Sequence, residues 1–145
     1  MTTLLVDSSV LIKWFHSEGE NSIAEARAIR DANERGDLDA RVIDLAMYEV
    51  GNVLLRSLHW SAADVAGQLD DIIAICGTPL TMELGWLHEA ASLGARHQLT
   101  FYDAAWAAAA RGLGVSLVSS DTQLLAARLA ESPAAAAKRL RLRTS

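Results

Sequence analysis

The alternation of short apolar runs with longer stretches of helical spacing constrains this chain more than any other feature. TLLVD at residues 3–7 reads as a strand ending in an acid, and SSVLIKWF follows at once with apolar residues, Val10 and Trp14 among them, at helical intervals. The stretch 21–35 is amphipathic, with Ile23, Ala26, Ala28 and Ile29 against a charged face, and Gly36 ends it. ARVI at 40–43 is a brief second strand. Asp44 reads as the N-cap of a helix through about Leu58, and Ser61 with Asp64 as a capping box for a helix ending near Gly77. TPLTMEL is read as a third strand, followed by two helices, WLHEAASLGARHQ and FYDAAWAAAARG, separated by LT. VSLVSS is an apolar fourth strand, Asp121 opens another helix, AESPAAAAK is a helix end or turn around Pro133, and KRLRL is the last strand candidate. Short apolar strands separated by helices of this length indicate an α/β fold, a mainly parallel sheet of four to five strands with helices on both faces. At 145 residues the chain is read as a single domain, 1–145.

Composition narrows the setting. The hydrophobic fraction of 51% is inflated by alanine, and no window approaches the roughly 18 to 20 uninterrupted apolar residues of a membrane span. The start, MTTLLVDSSV, enters a strand without the basic and apolar segments of a secretory signal, so a cytoplasmic location is expected. Cys76, the one cysteine, lies in IIAIC, where a small buried thiol is expected. A formal net charge of −5 argues against nonspecific polyanion binding unless the acids are gathered around cations. In KRLRLR, arginines 139, 141 and 143 alternate with leucines as on a charge-protected edge strand.

Four acids stand apart from the rest. In an open α/β sheet, ligands bind beyond the carboxyl ends of the strands, near the point where strand order reverses. Asp7 ends the first strand, and Asp121 follows the fourth after Ser119 and Ser120. Capping a helix explains either one alone. Glu49 lacks the partner that usually explains a surface glutamate: three and four positions away lie Ala46, Leu45, Asn52 and Val53. Asp103 opens an almost wholly apolar helix, and its neighbours at the same intervals, Leu99, Thr100, Trp106 and Ala107, are equally unable to pair with it. If strand ends and helix starts converge, all four share one pocket. Two carboxylates about 4 Å apart repel by about 4 kcal/mol at an effective dielectric near 20, so four in one site need a compensating cation. An oxygen-only set suits Mg²⁺ or Mn²⁺ rather than zinc.

The remaining acids serve as controls: Asp70 and Asp71, Asp37 and Asp39, Glu18 and Glu20 lie in polar or turn-like surroundings that suit solvated surface. His16, His59, His88 and His97 show no metal-ligand spacing, Gly112 and Gly114 fit a helix stop, and no GxSxG elbow exists.

With these positions in hand, the chain resembles the PIN-domain ribonucleases, and specifically the VapC-type toxins of bacterial toxin–antitoxin pairs. The resemblance rests on LLVDSSVLIKWF, YEVGNVL and LTFYDAAWAAAARGLGVSLVSSDTQLL in that order and covers most of the chain. It implies a PIN-like three-layer α/β/α fold. It places Asp7, Glu49, Asp103 and Asp121 as metal-binding, catalytic acids, with Ser8, Asn52 and Ser119 as supporting groups. Ser119 stands where the family often has Thr, and Ser9 where Asn is frequent. The resemblance further implies Mg²⁺ with Mn²⁺ as substitute, cleavage of a structured RNA to leave a 5′-phosphate and a 3′-hydroxyl, a homodimer, and a small antitoxin partner that lays a helix along an apolar groove and blocks the acidic pocket. Lys13, Arg56, Arg96 and Arg111 are candidate RNA guides that also read as ordinary surface cations; Trp14 and Trp60 are candidates for base stacking that fit packing better. Two rival readings remain: a PIN-like module kept for partner binding, and a receiver-like phosphotransfer protein. The second would want a paired acid before the acceptor strand and a late lysine in the sheet, neither of which is visible.

Overall fold

The computed structural model describes residues 1–144. Its sheet has three parallel strands in the order β2-β1-β3, with β1 at Thr2–Val6, β2 at Leu38–Arg41 and β3 at Ser116–Val118. Leu4, Leu5 and Val6 in the central strand have no exposed surface, as expected of a continuous apolar run covered on both faces. Single parallel bridges extend the sheet on each flank, Ile43 to Leu80 beyond β2 and Val118 to Glu131 beyond β3. The α/β architecture read from the alternation therefore holds, with its outer strands shortened to one bridge each.

Among the described residues eight helices connect and cover the strands: α1 (Ser8–Leu11), α2 (Ile23–Glu34), α3 (Leu45–Asn52), α4 (Ala62–Cys76), α5 (Leu84–His97), α6 (Phe101–Leu113), α7 (Thr122–Ala126) and α8 (Pro133–Arg139). A 3₁₀ turn, Ile12–Trp14, continues α1, and a π-helical stretch, Val53–Ser57, continues α3. In α6 every residue from Ala104 to Ala110 is buried. Its small side chains let α5 come close: a Cβ built on Gly94 would lie 3.6 Å from the Ala104 Cβ.

Several local expectations are corrected. KRLRL is not a strand. Ser132 caps α8 by accepting from the Ala135 amide at 3.1 Å and Pro133 opens it, so the helix runs through Lys138 and Arg139. Arg139 then reaches back to Glu131. TPLTMEL contributes only the Leu80 bridge, because Pro79 has no amide to donate and α5 starts four residues beyond Leu80. Asp44 does not cap α3 with its side chain; its backbone is already helical and its amide is bonded to the Leu80 carbonyl. Lys13 is not a surface cation. It is 3% exposed and held by Glu20 Oε1 at 2.9 Å, by the Asn21 carbonyl at 2.9 Å and by Asn21 Oδ1 at 3.2 Å. Trp14 is buried with its indole donating to the Ala26 carbonyl, and Trp60 packs edge-on against Phe15. Cys76 is buried as expected, and burial pushes its thiol up to about 12, which leaves it inert near neutrality.

Candidate functional site

Strand order reverses at β1: the chain passes from β1 to β2 on one side and returns to β3 on the other. The carboxyl ends of β1 and β3 therefore form the switch point where open α/β sheets bind ligands. Asp7 leaves β1 there, its amide bonded to the Val118 carbonyl at 3.1 Å, and caps α1 by accepting from the Ser9 amide. Asp121 leaves β3 three residues past Val118 and caps α7 by accepting from the Leu124 amide at 2.9 Å. Each acid is thus positioned by a cap while also standing at the ligand-binding edge.

Serines tie the two strand ends together. Ser9 Oγ donates to Asp7 Oδ1 at 2.6 Å and accepts from the Ser120 amide at 2.9 Å. Ser119, with no exposed surface, accepts from the Asp121 amide at 2.9 Å, and its hydroxyl acts to lower the Asp7 carboxyl. Ser9, noted in the sequence only as a departure from a frequent asparagine, proves to be the direct link between the β1 and β3 ends.

Glu49 comes in from α3. It lacks an ion pair, as its helical neighbours required, but it is not without partners: Ser8 Oγ and Trp106 Nε1 donate to the same oxygen, Oε1, at 2.8 and 2.7 Å. Oε2 is left for another purpose. The sequence had assigned Trp106 no role. The one signal was an indole N–H on an otherwise apolar helix, one turn after Asp103 and without a partner among its helical neighbours. Asp103 sits in the first turn of α6, which Thr100 caps by accepting the Asp103 amide at 3.1 Å. Asn52 lies one turn beyond Glu49 with its side chain exposed, outside this hydrogen-bonded set.

The electrostatics follow from the crowding. Asp7 is only 4% exposed, and burial raises its carboxyl from 3.8 to about 7, with Glu49 adding repulsion and the bonds from Ser119 and Ser9 acting the other way. Asp103 is raised by burial first, then by Asp121, opposed by the Thr100 contact, with Glu49 adding a smaller push. Repulsion thus couples Asp7 to Glu49, and Asp103 to Asp121 and Glu49. Lys13 cannot relieve them, since Glu20 and Asn21 hold its ammonium. Among the described residues no three of His, Cys, Asp and Glu form a ready-made metal cage. Such a cage is what zinc demands; Mg²⁺ is ordinarily held by one or two carboxylates and retains several waters. Carboxylate and hydroxyl oxygens around a buried, raised Asp fit a hard divalent cation, which would supply the positive charge the site lacks.

A fold with this switch point and this set of acids defines a class. The model of the PIN domain matches residues 4–131, and the chain belongs to that family. Exonuclease VapC9 from Pyrobaculum aerophilum is 31% identical over 85 residues, which are 59% of this chain and 64% of that protein, so the match spans a little under two thirds of that relative. The crystal structure of PAE2754 from Pyrobaculum aerophilum is similar over 97% of each chain, with a TM-score of 0.67 and 26% identity. VapBC2 from Rickettsia felis, bound to a DNA fragment from their promoter, gives a TM-score of 0.67 over 90% of this chain and 97% of that one; at 8% identity the likeness is one of fold. No helix among the described residues is long and apolar enough to cross a membrane.

Proposed function

We propose that this chain is a divalent-metal-dependent endoribonuclease and the toxin of a toxin–antitoxin pair. The observation that carries the reading is Asp7, a buried carboxyl at the end of the central strand, repelled by Glu49 and tied through Ser9 to the end of β3, with Lys13 already held by Glu20. Membership of the PIN family, the name VapC9 exonuclease on a relative and the VapBC architecture of a structural neighbour point the same way.

Asp7, Glu49 and Asp103 would hold Mg²⁺, or Mn²⁺ in its place, some of them through bound waters, with Asp121 completing the site. The bound ion supplies Lewis acidity and positive charge for hydrolysis of an RNA phosphodiester. The chain's own groups do the arranging. Ser8 and Trp106 fix one Glu49 oxygen and so aim the other. Ser9 and Ser119 set the Asp7 carboxylate and favour its ionised form against burial. Asn52, exposed beside Glu49, stands at the rim in a supporting position. The antitoxin would cover this acidic edge, and a homodimer is the assembly we expect.

The test is degradation of RNA by the purified chain in Mn²⁺. Activity abolished by EDTA, and by Asp103→Asn with folding nearly unchanged, supports the reading; full activity in that variant removes Asp103 from it. Acyl-phosphate formation from a small phosphodonor would instead favour phosphotransfer. Growth arrest on expression, relieved by the adjacent open reading frame, tests the toxin assignment.

A further inference from the structure

Beside the acids lies a cavity of about 660 Å³ whose lining runs from Ser8, Ser9, Glu49 and Ser120 at one end to the 16–21 loop at the other. It is continuous with the proposed catalytic edge through Ser8, Ser9 and Glu49, while its loop half, from His16 to Asn21, takes no part in holding the ion. Its loop wall is fixed by Lys13, whose ammonium is satisfied by Glu20 and Asn21, so the cavity has one rigid side even though the loop carries no regular structure. Gly19, at φ 76°, supplies a left-handed turn within that wall.

The chemistry of the lining selects among occupants. Ile12, Val53 and Leu58 offer apolar surface, and the imidazole of His16 stands at the loop side. Three glutamates, 18, 20 and 49, face the cavity against the single Lys13, which Glu20 already engages. A phosphate would be repelled. A flat, uncharged group of moderate size with amino donors on its edge would be accepted, since carboxylates take hydrogen bonds from exocyclic amines and His can stack on a base.

Resting on the ribonuclease reading, we propose that this cavity receives one unpaired nucleobase of the RNA next to the scissile phosphate, and that Glu18 and His16 make it prefer a base with an exocyclic amino group over uracil. A base in a duplex has its edge occupied by its partner and its faces stacked, so it cannot enter. Entry therefore also confines cleavage to single-stranded segments. Uracil presents two carbonyl oxygens and one N–H, which sets its acceptors against the glutamates.

The experiment compares oligoribonucleotides that share flanking sequence and vary only the two bases around a single cleavage position, cut by the full chain in Mn²⁺. Wild type should discriminate against uracil on one side of the cleaved bond by about tenfold, in the range of a good base contact. Glu18→Ala and His16→Ala, both on the loop and away from the acids, should bring that ratio near unity while leaving cleavage of the uracil substrate within about threefold. Wild type in Ca²⁺, titrated with the same RNA carrying 2-aminopurine at that position, should change its fluorescence as the base leaves its stacked neighbours for the cavity, and His16→Ala should remove the change. RNA cleaved in Mn²⁺ with the same base profile in wild type and both variants would overturn the pocket and leave the nuclease reading standing. No Mn²⁺-dependent cleavage of any RNA would overturn both.

Discussion

Asp7 ends the central strand with 4% of its surface exposed and its carboxyl raised to about 7. Its folded value lies above the unfolded one, so between about pH 4 and pH 7 the native state holds a proton that the unfolded chain has lost. That contribution to stability is fully present below about pH 4 and disappears as pH rises through about 7. The raised Asp103 acts in the same sense. In EDTA, thermal melting should therefore fall in temperature from about pH 5 to about pH 8. Asp7→Asn, which keeps an oxygen for the Ser9 amide but no charge, should flatten the fall and melt above wild type at about pH 8 while losing cleavage. A steeper fall in the variant would contradict this. Glu49 gives a second test at this scale. Removing one of its two donors with Ser8→Ala should weaken Mn²⁺ binding by about 10- to 100-fold with little loss of stability, as for other groups that orient a ligand. Trp106→Phe should do likewise, though the space left by the lost part of a buried ring also costs stability. Calorimetric titration of Mn²⁺ reads both.

At the scale of elements, α5 and α6 bring Asp103 to the site, and their packing depends on small residues. A Cβ on Gly112 would come within 2.1 Å of the Trp86 indole nitrogen, so the ring lies directly over that glycine. Gly112→Ala should cost about 1–3 kcal/mol in urea unfolding as Trp86 is displaced; an unchanged midpoint would mean that the indole moves aside freely. Elements with strong local signals were legible in the sequence: TLLVD as a buried strand, Ser61 as a cap, and the alanine helix after Thr100. Glu49 and Asp103 stand out in the sequence because neither has a partner at helical spacing, Asp7 and Asp121 because they follow strands. The misreadings have a common cause, competition between a short pattern and a neighbouring stronger one. In KRLRL, five residues of alternation lost to a helix already started by Ser132, Pro133 and four alanines. In TPLTMEL, Pro79 and the onset of α5 left room for one bridge. The links from Ser9 to Ser120, from Trp106 to Glu49 and from Lys13 to Glu20 join residues by tertiary placement, which no spacing rule reaches. The burial of Lys13 was misread for that reason.

For the whole molecule, a formal charge of −5 sets the terms of RNA binding. Arg111 is engaged with Glu89 at 3.3 Å and Lys13 with Glu20, which leaves Arg56 and Arg96, both exposed, as cations available to phosphate from the set considered. Arg128 and Lys138 are exposed as well, but the net charge is negative, so RNA should be held largely through the metal. Filter binding with Asp103→Asn, or with wild type in EDTA, should then show much weaker RNA retention than wild type in Ca²⁺, and a shallow dependence on salt. Tight, steeply salt-dependent binding in EDTA would instead require a basic surface elsewhere.

Calorimetric titration of Mn²⁺ into the metal-free chain at about pH 7 tests the shared acidic site most directly. Wild type should bind with release of a proton, seen as a dependence of the heat on the buffer, because Asp7 must ionise to take the ion. Asp7→Asn and Asp103→Asn should each weaken that binding sharply, and the first should also remove the proton release. Equal uptake in wild type and both variants, or no uptake at all by a chain that still cleaves RNA, would contradict the account.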